Sequence, residues 1–170
     1  MPEGLRAQLP RIREALGAFR IPVVELAGYE ADDVLGTLAR QGAAQGYDVV
    51  LVSADKDLMQ LVAPGIAVFH TGRNRLYDEA AVEAEWGVPP ARVADVLALQ
   101  GDSVDNVPGV PGIGEKGARQ LIAEHGSLEA LLANAAAVKR KAYREGLEQH
   151  REQALLSKEL VTIHTELPLT

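Results

Sequence analysis

Apolar residues recur at Leu5, Leu9, Ile12, Leu16 and Phe19, and these spacings of three and four predict an amphipathic helix that buries one face and weakens at Gly17. The β-branched run from Ile21 to Leu26, bounded by Gly28, predicts a buried strand. Tyr29 to Gln45 predicts a second helix with Val34, Leu35 and Leu38 on its inner face and Gly46 as its stop. Asp48 to Ser53 encloses Val49, Val50, Leu51 and Val52, the continuous apolar run of a parallel strand covered on both faces. A short helix over Leu58 to Val62, a strand over Gly65 to Thr71 and a turn at Arg73-Asn74-Arg75 follow. From Asp78 the texture is helical, over Asp78 to Trp86, Pro89 to Gln100 and, beyond a glycine-rich stretch, to about Val161. The fold expected is α/β, a parallel sheet with helices over residues 1–100, followed by an α-helical region over residues 101–170. In such sheets ligands bind at the carboxyl ends of the strands.

Composition narrows the function. The chain has 170 residues, 47% of them hydrophobic, enough for a sizeable core. No apolar run approaches the roughly 18 residues of a membrane helix, and no export signal opens the chain; the expected location is cytoplasmic. The absence of cysteine excludes disulfides, thiolate metal sites and Cys nucleophiles. The net charge of −7 lies wholly within residues 1–105, which carry 9 basic and 16 acidic side chains, whereas residues 106–170 carry 8 of each.

Seven of those acids fall in three clusters: Glu30, Asp32 and Asp33; Asp55 and Asp57; Asp102 and Asp105. The first opens the helix after the Val23 to Leu26 run, where acids also suit the helix dipole. The second follows the Val49 to Val52 strand, and equally fits a helix cap. The third also reads as turn formers. Together, three acidic clusters on separate segments point to a shared cation. An almost all-oxygen ligand set selects Mg²⁺ or Mn²⁺ over Zn²⁺, and two such ions roughly 3.5 to 4 Å apart suit phosphodiester hydrolysis.

Val107-Pro108-Gly109-Val110-Pro111-Gly112-Ile113-Gly114-Glu115-Lys116 forms a second constellation. Glycines flanking Ile113 allow a tight hairpin whose backbone amides meet a phosphate at the next helix start, with Lys116 and Arg119 adding positive charge. The plain alternative is a Gly/Pro loop between core helices.

The acidic segments Gly28 to Asp33, Ser53 to Leu58 and Gly101 to Asp105, with the hairpin from Val107 to Lys116, resemble in order the 5′-3′ exonuclease domain of bacterial DNA polymerase I, of the flap endonuclease superfamily. The resemblance runs over essentially the whole chain. It implies a PIN-like α/β core and a helix-hairpin-helix (H3TH) element gripping duplex beside a 5′ flap. It makes Glu30, Asp32, Asp33, Asp55, Asp57, Asp102 and Asp105 catalytic metal-site carboxylates. It gives Gly109, Val110, Gly112, Ile113, Gly114, Lys116 and Arg119 a DNA-backbone role, makes Lys56 a DNA contact, and implies K⁺ at the hairpin carbonyls. Members of this family carry two Asp-bearing strands and a basic helical arch before the helix that here starts near Leu5. The resemblance therefore implies a fragment of a longer polymerase or nuclease, or a start placed at an internal Met, with a covalently linked polymerase region as partner.

Two other readings stand beside a metal-dependent nuclease acting on 5′-flap DNA: a non-catalytic module gripping branched duplex through the hairpin, and a PIN-like ribonuclease. The four histidines show no metal spacing, and Tyr77 and Trp86 are expected to pack in the core. Lys139, Arg140, Lys141 and Arg144 suit either duplex phosphate or a solvated helix face.

Overall fold

The computed structural model describes residues 3–169, and among these a three-stranded sheet and eight α-helices are formed. Helix α1 (Glu3–Ala18) leads through an extended stretch to α2 (Ala31–Ala44), which Gly46, at φ 86°, ends. Strand β1 (Val49–Val52), a 3₁₀ turn (Asp57–Leu61), β2 (Ile66–His70) and β3 (Arg75–Tyr77) follow. β1 pairs parallel with β2 in the register Val49 to Ile66, and β2 pairs antiparallel with β3 in the register Val68 to Tyr77. The remainder is helical: α3 (Glu79–Trp86), α4 (Val93–Gln100), α5 (Glu115–His125), α6 (Leu128–Ala133), α7 (Lys141–Gln149) and α8 (Arg151–Val161).

The local causes are legible in the caps. Asp78 accepts a bond from the Ala81 amide at 2.8 Å to open α3, which Gly87 closes at φ 73°. Ser127 opens α6 in the same way, accepting from the Ala130 amide at 3.1 Å. One continuous core links both regions, running from Leu51, Leu58 and Val68 through Val96, Leu97 and Leu99 on α4 to Ile122, Leu131 and Ala154. Helix α4 lies against α5 and α8, so the packing of the helical region begins before residue 100.

Four expectations are corrected. Ile21 to Leu26 is extended but joins no sheet, and Val23 and Val24 remain exposed, because a strand persists only where a neighbour satisfies its backbone. α1 forms as predicted, yet Leu5, Leu9 and Ile12 stay 40 to 45% exposed, so its apolar face is not buried. β1 is covered on one face only: Leu51 is buried while Val50 and Val52 face solvent. The sheet is mixed rather than purely parallel, since the turn through Asn74, left-handed at φ 47°, returns the chain as the short strand β3. Tyr77 and Trp86 are buried, as expected.

Candidate active site

Six of the seven acids line one cleft of about 570 Å³: Glu30, Asp32 and Asp33 from the start of α2, Asp55 and Asp57 from the loop after β1, and Asp105 from the loop after α4. Its remaining wall is the end of α8 and the segment after it, Glu159 to His164, with Gly28, Tyr29 and Val107. Each acid is placed by local bonding. Glu30 and Asp33 cap α2 reciprocally, and the Glu30 amide donates to Asp33 Oδ2 at 3.3 Å. The Asp57 amide donates to Asp55 Oδ1 at 2.9 Å, while Ser53 Oγ accepts from the Asp55 amide at 3.1 Å, winding the strand exit into a tight acidic turn.

Crowding shows in the electrostatics. Burial, and then the charge of Asp55, push the Asp57 carboxyl up to about 6, against the opposing pull of Lys56. The Asp32 carboxyl is raised in the same direction, first by burial and then by Asp55, Glu30, Asp33 and Asp105. Asp57 Oδ1 is buried with no hydrogen-bond partner, the state of an acceptor that a cation would satisfy.

Asp102 stands apart. It lines an adjoining cleft of about 490 Å³ that shares Asp55 and Asp105 with the first. There it pairs with the Lys56 ammonium and accepts from the Val104 amide at 2.8 Å. The bond from Lys56, chiefly, holds its carboxyl below the usual carboxylate range. Lys56, expected to contact DNA, is thus engaged by an acid of the site.

A divalent ion fits this donor set by chemistry, all oxygen with one buried acceptor unpartnered. Among the described residues, no three His, Cys, Asp or Glu side chains converge closely enough to hold an ion as they stand.

The hairpin is a rigid crossing. A Cβ on Gly109, at φ 62°, would stand 2.5 Å from the Gly101 nitrogen, so two backbone segments touch where only glycine fits. Both of its backbone polar groups are held, the amide donating to Ser157 Oγ at 3.1 Å and the carbonyl accepting from Gln153 Nε2 at 2.7 Å. Val110 and Ile113 bury their side chains and spend their amides inside, Val110 donating to the Leu99 carbonyl at 2.8 Å and Ile113 to the Val110 carbonyl at 3.0 Å, while Gly112, Gly114 and Lys116 are exposed. Arg119 is engaged inward. Its guanidinium lies 4.7 Å from the Trp86 ring centroid, donates to the Glu85 carbonyl at 2.7 Å and pairs with Glu115 at 2.6 Å.

Sequence reasoning passed over Thr37, Gln60, Gln153, Ser157 and the backbone of His164. Gln60, three residues after Asp57, and Thr37, one helical turn after Asp33, carried a positional signal.

An acid-lined cleft beside a strand exit, joined to a backbone hairpin in a helical region, defines the class of protein, and comparison specifies it. Residues 1–87 match the model of the 5′-3′ exonuclease N-terminal resolvase-like domain, and residues 88–170 that of the 5′-3′ exonuclease C-terminal SAM fold. The chain belongs to the 5′-3′ exonuclease family. DNA polymerase I of Rhizobium leguminosarum is 46% identical over 168 residues, which are 99% of this chain and 16% of that protein. A 5′-3′ exonuclease of Aquifex aeolicus is 39% identical over 168 residues, 99% of this chain and 57% of that protein. The chain therefore spans between about a sixth and somewhat over half of these relatives' length. Among solved structures, T5 5′-exonuclease with bound zinc shares the fold at a TM-score of 0.81 and 24% identity, over 97% of this chain and 64% of that one.

Proposed function

We propose that this chain is the metal-site and duplex-holding part of a divalent-metal-dependent 5′ nuclease that hydrolyses DNA phosphodiesters beside a 5′ flap. The observation that carries this reading is the convergence of six carboxylates from three segments on one cleft around the unpartnered Asp57 Oδ1. T5 5′-exonuclease binds divalent metal ions, which supports the same reading. Asp32, Asp55, Asp57 and Asp105 would hold Mg²⁺ or Mn²⁺, two ions by the number of carboxylates, with Glu30 and Asp33 shaping the helix start. When bound, such ions supply Lewis-acid stabilisation of the leaving oxygen and acidify an attacking water. They also offset the net negative charge that would otherwise repel DNA.

The hairpin would take duplex phosphates through its exposed backbone at Gly112 and Gly114, with the Lys116 ammonium beside them, reading shape rather than sequence. K⁺ at its carbonyls, a cytoplasmic setting, a linked polymerase region and a division of labour near residue 100 belong to the same proposal. No helix among the described residues is long and apolar enough to cross a membrane.

The test is cleavage of a 5′-labelled flap DNA with Mg²⁺, with Mn²⁺ and with chelator. Metal-dependent product near the junction supports the reading. Salt-sensitive binding to branched duplex without any product supports the non-catalytic module, and preference for an RNA flap supports the ribonuclease.

A further inference from the structure

After α8 the chain runs on without helix or strand over residues 162–169 and passes both acid-bearing elements. At its root, Gln60 Nε2 donates to the Val161 carbonyl at 2.9 Å, and Gln60 Oε1 accepts from the Ile163 amide at 3.1 Å. One primary amide thus closes on two backbone groups two residues apart, the office a neighbouring strand would otherwise fill. Gln60 sits in the 3₁₀ turn that begins at Asp57.

Farther along, the same strap is fastened to α2. The His164 amide donates to Asp33 Oδ1 at 2.9 Å, and the Leu167 amide donates to Thr37 Oγ1 at 3.2 Å. Thr37 Oγ1 in turn donates to the His164 carbonyl at 3.5 Å. Thr37 is 1% exposed and lies one helical turn beyond Asp33. The three pieces meet at Gly36, where a Cβ would stand 2.9 Å from Ile163 Cγ2 and 3.2 Å from both Leu61 Cδ2 and Thr165 Cγ2. The helix carrying Asp32 and Asp33, the turn carrying Asp57 and the strap therefore close on a position with no room for a side chain.

Asp32 on α2 and Asp55 and Asp57 on the turn after β1 line one cleft, where like charges repel. Something must hold them at a fixed spacing before an ion arrives, and outer groups of this kind set metal affinity.

We propose that Gln60 and Thr37 are positioning residues which, through the strap, fix the separation of Asp57 from Asp32 and Asp33 and thereby set the affinity of the cleft for divalent ions. The inference rests on the reading of that cleft as a metal site. Neither side chain lines the acidic cleft.

The test is Mn²⁺ binding by calorimetry or paramagnetic resonance on the chain and on Thr37→Val, Thr37→Ser and Gln60→Met. Amide hydrogen exchange at Ile163, His164 and Leu167 is followed in the same samples. Val keeps the shape of Thr37 and loses its hydroxyl, whereas Ser keeps the hydroxyl and loses a methyl. Positioning by hydrogen bonds therefore requires Val to be the more harmful, and packing alone requires the reverse. Thr37→Val and Gln60→Met are expected to weaken Mn²⁺ binding by about tenfold and to unprotect the strap amides, with Thr37→Ser near the parent. Should Gln60→Met unfold, the Val and Ser pair decides alone. Unchanged Mn²⁺ affinity in Thr37→Val with the strap unprotected, or a larger loss in Ser than in Val, overturns the proposal. Absence of Mn²⁺ binding by the parent chain overturns the metal reading itself, and is seen before any variant is made.

Discussion

Lys56 and Asp102, 46 residues apart, form an ion pair that ties the acidic turn after β1 to the loop after α4. The ammonium is half exposed, which keeps the pair modest, on the order of 0.5 kcal/mol. Its sign is definite. Asp102 is held below its ordinary value, so its contribution is present above the unfolded carboxylate range and is lost as pH falls through and below it. Lys56→Met should melt slightly lower at neutral pH and lose less of its stability than the parent between about pH 5 and 3. Thermal melts at the two pH values check this, and parallel acid slopes in the two proteins would remove the pair from the account.

Asp57 carries the opposite sign. Its carboxyl, raised to about 6, holds its proton in the folded chain at pH values where the unfolded chain has released it. The Asp57 contribution is then fullest below the unfolded value of 3.8 and declines as pH rises through about 6, in the absence of divalent ions. Asp57→Asn should flatten that decline and raise the melting temperature of the chelated protein at pH 7 by several degrees, while abolishing metal-dependent cleavage. Melts in chelator, with and without added Mn²⁺, separate the two effects: added Mn²⁺ should stabilise the parent and leave the variant unmoved.

How much of this was legible beforehand depends on the range of the interaction. The helix from Ala31 announces itself by the periodicity that buries Val34, and the strand Val49 to Val52 by its apolar run, which carries no sign of which face Leu51 buries. Asp32, Asp55 and Asp105 stand out because three acidic clusters on separate segments call for one common explanation. The Ile21 to Leu26 run has the composition of a strand, but composition supplies no partner, and Val23 and Val24 remain in solvent. β3 was missed because Arg75-Leu76-Tyr77 is too short and polar to show alternation, its pairing being dictated by the left-handed Asn74 turn. The bonds of Gln60 and Thr37 to the strap span 101 to 130 residues and leave no periodic trace.

The hairpin glycines should separate cleanly. Gly109 and Gly112 both have positive φ, but only Gly109 meets other backbone, whereas Gly112 has open space where a Cβ would lie. Gly112→Ala should cost about 1 kcal/mol from backbone strain alone. Gly109→Ala must in addition push the Gly101 backbone away and break the bonds to Ser157 and Gln153, and is expected to cost at least twice that, or to unfold the helical region. Denaturant melts give the ranking, and equal losses would show that the crossing with Gly101 relaxes freely.

Lys116 and Arg119 share a helix and a charge, yet the structure assigns them different work. Lys116 is exposed beside the hairpin, while Arg119 is spent on Trp86, Glu85 and Glu115. If duplex phosphate lies along the hairpin, Lys116→Ala should weaken binding to all sequences alike and reduce the slope of log affinity against log salt by about one, with the melting temperature unchanged. Arg119→Ala should instead lower the melting temperature by removing the stacked guanidinium and leaving the Glu85 carbonyl unpaired, with a small effect on the salt slope. Fluorescence anisotropy on branched duplex across a salt series, alongside thermal melts, measures both. A salt slope that falls with Arg119 and not with Lys116 would place the phosphates on the Trp86 side of α5 instead.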